Sequence, residues 1–327
     1  MQRKPLISAI LTTFNRAGYL PRVLEALAAQ TLDQGQFEVV VVDDGSSDQT
    51  HAVIEGYRHI IPGLRYAFQR NSGLAAAKNH GIFLARAPIV LFLDDDDAAD
   101  PRLLEEHLIC HRTNPSLHHA VLGFTDMTPE IASDPLMDFV TGPGGYLFSY
   151  SDLREGDELS YRYFWGGRSS AKRELFVRHG LFDPVFRFGC EDIELGFRLS
   201  AFRLKVIYHP KARTSMMRSL SLADFLRRCR LQGESQYVFS QKHLVPEILE
   251  YTNVLNSEAQ WQRLEPLADS IFRSALALDT FVRTTKTQDL QIGEHVIQAL
   301  SWAYHRAFQA ANYQGIVGKL RQQFASI

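Results

Sequence analysis

The sequence predicts an α/β fold: a mainly parallel sheet flanked by helices, followed by an all-helical C-terminal extension. Three observations predict it. Through the first hundred residues, short apolar runs alternate with amphipathic segments of helical period. Two of those runs end in clustered carboxylates, Asp43-Asp44 and Asp94 to Asp97, at the strand ends where open α/β sheets place ligands. From Ser221 the chain changes character, and helix-forming sequence dominates to Phe324.

Leu6 to Leu11 reads as the first strand, followed by a turn at Thr13 to Gly18. Leu20, Val23, Leu24, Leu27 and Ala28 then share one helical face. Phe37 to Val42 is the second strand, and the Ser and Asp residues of the following Asp43 to Asp48 turn can cap a helix through Val53 and Ile54. Leu64 to Phe68 is a third strand, Leu74 to Ala85 an Ala-rich helix, and Ile89 to Leu93 a fourth, buried strand. This alternation implies parallel strands with helices on both faces. Phe124 to Ser160 contains Pro129, Pro135 and Gly142-Pro143-Gly144-Gly145 without a sustained period, and reads as loops around a cleft. Helices follow over Lys172 to His179 and Glu191 to Leu199, then a short strand over Lys205 to Tyr208. Ser221 and Asp224 open the helical extension in the manner of a capping box. Within it, Ile271, Ala275, Leu278 and Phe281 lie close to one face, and Val296, Leu300, Trp302, Ala303 and Phe308 do so more loosely. The expected division is a first domain over 1–220 and an extension over 221–327.

A chain of 327 residues accommodates one large domain or two ordinary ones. A composition 45 % hydrophobic and 22 % charged is that of a soluble globular protein. A net charge of -2 argues against a dedicated nucleic-acid binder. Cys110, Cys190 and Cys229 form no C-x-x-C pair, so neither a disulfide framework nor a zinc site is expected. Met1 to Pro5 lead straight into a strand without a signal-peptide pattern, and no apolar run approaches the roughly 20 residues that span a bilayer. The expected location is cytoplasmic, with peripheral membrane contact and self-association through the C-terminal helices left open.

The chemistry concentrates in carboxylates. In the mouth of a domain, each close pair among Asp94, Asp95, Asp96 and Asp97 repels by up to about 4 kcal/mol, so a divalent metal or basic side chains are expected beside them. A solvated loop before a helix starting at Pro101 explains Asp100, but not why the charges abut a buried strand. Glu191-Asp192 opens a later helix. Such a set suits hard-oxygen ligation of Mg²⁺ or Mn²⁺ on a diphosphate, together with a separate carboxylate base. Taken alone, Asp43-Asp44 reads equally well as a turn with a helix cap, and Glu191-Asp192 as the acidic first turn of a helix.

The ordered set of motifs is more specific. It comprises Ile10-Leu11-Thr12-Thr13-Phe14-Asn15-Arg16, then Val41-Val42-Asp43-Asp44-Gly45-Ser46-Ser47-Asp48. Asn71-Ser72-Gly73 with Lys78-Asn79 comes next, followed by Phe92-Leu93-Asp94-Asp95-Asp96-Asp97 and Pro101. Trp165-Gly166-Gly167 and Glu191-Asp192-Ile193-Glu194 complete the series. Over Leu6 to His243 the chain resembles an inverting glycosyltransferase of family 2 with the GT-A, Rossmann-like fold. The resemblance implies transfer of a sugar from a nucleotide-sugar donor, expected to be a UDP-sugar, to a glycan, lipid-linked or other hydroxyl acceptor. It implies that Thr12 and Asp44 hold the base and its surroundings, that Lys78 lies near the phosphates, and that Asp95 contacts the ribose. By the same resemblance Asp94 and Asp96 bind Mg²⁺ or Mn²⁺ with Asp97 in support, and Asp192 is the catalytic base. Glu191, Trp165 and Gly166 match the acceptor side.

One departure stands out. Where many relatives carry a metal-ligand histidine, this chain reads Ala212 to Arg218 without one, and His209 reads better as an ordinary polar residue at a strand end. The basic run Arg203, Lys205, Lys211, Arg213, Arg218, Arg227, Arg228 and Arg230 offers an alternative source of positive charge. The missing histidine also motivates a second reading, a non-catalytic sugar-nucleotide-binding or assembly module. A dinucleotide oxidoreductase or P-loop kinase is not expected, because neither G-x-G-x-x-G after the first strand nor G-x-x-x-x-G-K-[ST] occurs.

Overall fold

The computed structural model describes residues 4–325. Met1 to Arg3, where the N-terminal reading begins, lie outside the described residues. The chain forms two compact units. The first comprises residues up to Thr128, Tyr150–Arg187 and Glu191–Arg218; the second comprises Pro129–Ser149, Phe188–Cys190 and the chain from Ser219.

In the first unit, β1 (Ile7–Thr13), β2 (Phe37–Asp43), β3 (Leu64–Phe68) and β4 (Ile89–Leu93) pair in parallel in the order β3-β2-β1-β4. Their connections carry α1 (Leu20–Ala28), α2 (Thr50–Gly56) and α3 (Leu74–Leu84). Alternate side chains of β1 point to opposite faces. Ile7, Ala9 and Leu11 join a core with Leu24 and Leu27 of α1 and Leu103 and Leu104 of α4 (Leu103–Thr113). On β2, Val40 and Val42 instead meet Ala77 of α3. After β5 (Asp97–Ala99) the sheet continues through β6 (His119–Met127), β7 (Glu158–Leu159), β8 (Ser169–Lys172) and β9 (Lys205–Met216). The path from β4 runs β8-β6-β9-β5, with β7 also paired to β9. The unit also contains α7 (Arg173–His179) and α8 (Glu191–Ser200).

Two readings are corrected, and one strand had no reading at all. The short strand at Lys205–Tyr208 is a strand of twelve residues, Lys205–Met216, because β6 pairs with it on both sides of an irregularity between Leu122 and Phe124. At that irregularity Gly123 lies so close to Ala212 that a Cβ would stand 2.5 Å from its carbonyl oxygen. The polar strand β8 carries no apolar signal, yet Ser169 and Ser170 are fully buried between β4 and β6. There Ser170 Oγ bonds His107 Nδ1 at 2.8 Å and His111 Nε2 at 2.9 Å, which satisfies the buried hydroxyl. Phe124 to Ser160 is not all loop: it holds the end of β6 and, in the second unit, α5 (Pro129–Ala132) and α6 (Pro135–Thr141).

The second unit adds α9 (Leu222–Lys242), α10 (Pro246–Thr252), α11 (Val254–Leu264), α12 (Ala268–Thr287) and α13 (Glu294–Ala325). Ser221 Oγ accepts the Asp224 N–H at 3.1 Å, as a cap should. At Gly233 and Gly315, α9 and α13 approach so closely that a Cβ would lie 2.1 and 2.0 Å from backbone carbonyl oxygens of the facing helix. Phe139, Tyr146, Phe225, Tyr304 and Phe308 form its aromatic core. The expected apolar faces are shifted: Phe281 and Trp302 are 54 % and 69 % exposed, while Asp279 and Tyr304 are buried. A polar pair can take an inward position because Tyr304 donates to Asp279, which also pairs with Arg283. No helix among the described residues is long and apolar enough to cross a membrane.

Candidate active site

Registry brings the acidic strand ends level. Thr13 pairs with Asp43, and Leu11 with Leu93, so β1, β2 and β4 finish along one edge. Thr12 lies one residue before the end of β1. The loops beyond β1 and β2 are stitched together: Asn15 N donates to Ser46 Oγ at 2.8 Å, and Ala17 N to Asp48 Oδ2 at 3.0 Å. Gly45 permits this turn, with φ 91° and Asn71 N only 2.8 Å from where a Cβ would stand. Asp44 is buried, and its oxygens accept from Gln69 Nε2, Ser72 N and Gly73 N at 2.7, 2.8 and 2.9 Å. It therefore fixes the loop that leads into α3.

The run Asp94 to Asp96 is the turn between β4 and β5. Because Asp97 of β5 pairs with Met216 of β9, the turn faces the residues just after β9. Arg168 Nη2 meets Asp94 Oδ2 at 3.1 Å, and Arg218 Nε meets Asp96. Arg16 approaches Asp95 at 3.8 Å. Asp97 is buried and accepts from Thr214 Oγ1 at 3.0 Å. Burial and the neighbouring Asp96 charge push the Asp95 carboxyl up to about 7. Burial, opposed by Arg168 but reinforced by Asp94 and Asp96, pushes Asp97 to about 8. Basic side chains thus supply much of the positive charge the sequence demands.

The first turn of α8 presents Glu191 and Asp192. Glu191 Oε1 and Lys78 Nζ are 2.9 Å apart, with side chains 4 % and 3 % exposed. Burial pulls the Lys78 ammonium down, but Glu191, Asp192 and Asp94 hold it above its ordinary value. Asp192 is partly exposed; its Oδ2 accepts the Gly166 N–H and its Oδ1 the Ile193 N–H, both at 2.8 Å. Burial and the Glu191 charge raise Asp192 to about 6, against the pull of Lys78.

Two consecutive glycines join these groups. A Cβ on Gly166 would lie 2.3 Å from Lys78 Nζ, and one on Gly167 would lie 2.0 Å from Asp94 Oδ2. Asp94, Lys78, Glu191 and Asp192 therefore meet around a backbone segment where any side chain would have to displace Lys78 or Asp94. Trp165 precedes it, its indole N–H donating to Arg162 O at 2.9 Å. Its ring lies 5.5 Å from both Tyr163 and Tyr150, and Tyr150 stacks on Tyr208 at 5.7 Å.

The structure thus gathers Asp94, Lys78, Gly166, Glu191 and Asp192, sets Trp165 beside them, and places Thr12 and Asp44 along the same sheet edge. Arg168 was absent from the sequence-based candidates, although it directly follows Trp165-Gly166-Gly167. Tyr150 and Tyr208 lacked any local motif. His209 lies inside β9 with Nε2 2.9 Å from Glu106 Oε2, committed to a buried pair. The three cysteines are buried and free.

The carboxylates of the acidic turn offer hard-oxygen chemistry suited to a divalent cation, and Asp94, Asp95 and Asp96 each already face a guanidinium. No group of three His, Cys, Asp or Glu side chains among the described residues could hold a metal on its own. Among the described residues, Asp94 and Asp96 are the carboxylates whose chemistry would suit such a cation, as two oxygen donors rather than a complete protein cage.

Residues 8–130 match the family profile described as Glycosyl transferase family 2. Validoxylamine A glucosyltransferase from Streptomyces hygroscopicus subsp. jinggangensis (strain 5008) is 33 % identical over 221 residues, covering 60 % of this chain and 52 % of that protein. The uncharacterized glycosyltransferase YfnE of Bacillus subtilis (strain 168) is 28 % identical over 244 residues, covering 61 % of this chain and 62 % of YfnE. The chain spans about half the length of the Streptomyces relatives it matches. Among solved structures, mannosyltransferase PcManGT from Pyrobaculum calidifontis, in complex with GDP-Man and Mn²⁺, superposes with a TM-score of 0.63 at 18 % identity, over 97 % of this chain and 88 % of that one. S. aureus TarS 1-349 in complex with UDP gives 0.55 at 19 % identity, over 97 % and 91 %.

Proposed function

With residues 8–130 a glycosyl transferase family 2 domain and the chain on the GT-A fold, we propose that this protein is an inverting, hexosyltransferase-type enzyme. It moves a sugar from a nucleotide-sugar donor, a UDP-sugar by preference, to a hydroxyl of a glycan or lipid-linked acceptor. Residues 1–220 form its catalytic part and 221–327 its helical extension. The observation that carries the reading is the Gly166-Gly167 junction, which sets the Asp192 carboxylate beside the acidic turn at Asp94.

In this reading Thr12 and Asp44 frame the base, Asp44 by fixing the loop Gln69 to Gly73. Asp95 takes the ribose. Asp94 and Asp96 would hold Mg²⁺ or Mn²⁺, which when bound offsets negative charge on the diphosphate. Lys78 adds a buried positive charge beneath the site rather than a direct contact. The acceptor hydroxyl attacks the anomeric carbon from the face opposite the diphosphate and passes its proton to Asp192. The bond from that carbon to the diphosphate oxygen breaks as the new glycosidic bond forms, inverting the centre. Asp192 suits the base: it is partly exposed, and the Gly166 and Ile193 N–H groups fix its orientation. The rings of Trp165, Tyr163 and Tyr150 offer faces on which an acceptor sugar can stack.

Calorimetric titration with UDP, GDP, dTDP and NAD, followed by nucleotide-release assays with the matching sugars, tests the reading. UDP binding and acceptor-stimulated release are the expected results; preference for NAD, or binding of no nucleotide, overturns it. Binding without release in any acceptor panel would instead favour the non-catalytic module. Gly167→Ala supplies a geometric check. Its methyl must expel the Asp94 carboxylate, so kcat/KM is expected to fall by about a hundredfold.

A further inference from the structure

Asp94 and Asp96 stand in unequal environments. The Asp94 side chain is 39 % exposed, with Arg168 at 3.1 Å from one oxygen. The Asp96 side chain is 8 % exposed, and Arg218 caps it. Backbone bonds fix this pairing. Met217 N donates to Asp96 O at 2.8 Å, and Asp97 pairs with Met216, so Arg218 is delivered one residue beyond a hydrogen-bonded register. Besides Asp96, the guanidinium faces Asp95 and Tyr19. Its charge is permanent, because arginine does not deprotonate in proteins.

We propose that Arg218 is a resident counter-cation that keeps a divalent metal off Asp96 until a nucleoside diphosphate is bound. The inference rests on the donor-site reading above. A metal and a guanidinium on one carboxylate stand within a few ångströms of each other, and their repulsion in a partly buried site strongly opposes joint occupancy. In the free protein a metal is therefore left with Asp94, which Arg168 already shares. An incoming diphosphate changes both sides of the balance. It supplies oxygen ligands and negative charge to the metal, and it offers the planar guanidinium a matched anionic partner. Arg218 then turns from Asp96 to the diphosphate, Asp96 becomes a ligand, and metal and nucleotide bind together.

The test is Mn²⁺ binding to the full chain, read by electron paramagnetic resonance of the free ion, with and without saturating UDP. Wild type is expected to bind Mn²⁺ at least about tenfold more tightly with UDP present. Arg218→Gln is expected to bind it at least about tenfold more tightly than wild type without nucleotide, and to gain little more from UDP. Arg218→Lys, which keeps the charge, should show no such gain, and Asp96→Asn added to Arg218→Gln should abolish it. Equal nucleotide-free affinity in wild type and a folded Arg218→Gln overturns the proposal. If Arg218→Gln does not fold, wild type whose Mn²⁺ affinity UDP leaves unchanged while itself binding overturns it. Failure of UDP and GDP to bind at all overturns the donor reading, while the nucleotide-free comparison still decides the role of Arg218.

Discussion

Asp192→Asn is expected to lower kcat by roughly a hundred- to ten-thousandfold, the range that a positioned general base contributes. UDP affinity is expected to stay essentially unchanged. The asparagine carbonyl oxygen can still accept one of the two N–H bonds, from Gly166 and Ile193, that orient Asp192, while the proton acceptor is lost. The pH profile supplies an independent sign. Burial and Glu191 raise Asp192 to about 6, and the base must be ionised to act. In wild type kcat/KM should therefore climb with pH up to about 6 and level off above it; the residual activity of Asp192→Asn should lack that limb. Single-turnover kinetics across pH, with calorimetry of UDP binding, checks both parts. Full turnover in Asp192→Asn removes Asp192 from the base role.

The second large effect falls on Lys78. Lys78→Met leaves Glu191 as an unpaired carboxylate with only 4 % of its side chain exposed. Breaking one side of a buried pair typically costs about 3–5 kcal/mol, which for a cooperative unit of roughly 150–250 residues, such as the first unit that holds both partners, lowers Tm by roughly 6–20 °C. Adding Glu191→Gln should recover much of that loss, because the stranded charge disappears with its partner. Catalysis gives a further readout. Lys78 holds the Asp192 pKa down, so in Lys78→Met the acid limb should move to higher pH. Thermal unfolding of the two variants separates this from simple loss of packing: if the double variant is no more stable than the single one, the charge argument fails.

Much of the fold was legible because its signals are local. The apolar runs at 6–11, 37–42, 64–68 and 89–93 coincide closely with β1 to β4, and the Ser221 cap begins α9 as read. The polar strand Ser169–Lys172 was not legible, since a serine buried by neighbouring strands looks in sequence like a serine in a loop. The same limit applied to Asp279 and Tyr304, whose burial depends on pairing with each other across twenty-five residues. Phe281 and Trp302, apolar at the expected period, lie exposed instead.

The candidate site divides in the same way. Sequence by itself determined which residues carry charge and which strand ends deliver them: Asp43-Asp44, Asp94 to Asp97 and Glu191-Asp192 follow from strand and helix periods and from the ordered motifs. Only the tertiary structure decided who neutralises whom. Lys78 meets Glu191 across 113 positions, Arg168 meets Asp94 across 74, and Arg218 meets Asp96 across 122. The physical reason is that a carboxylate's partner is chosen by distance and burial, and these are set by sheet register and by glycines that let backbones touch, not by neighbours along the chain. The acidic turn asked for a positive charge from the outset. The fold determined that three arginines, Arg16, Arg168 and Arg218, already stand there.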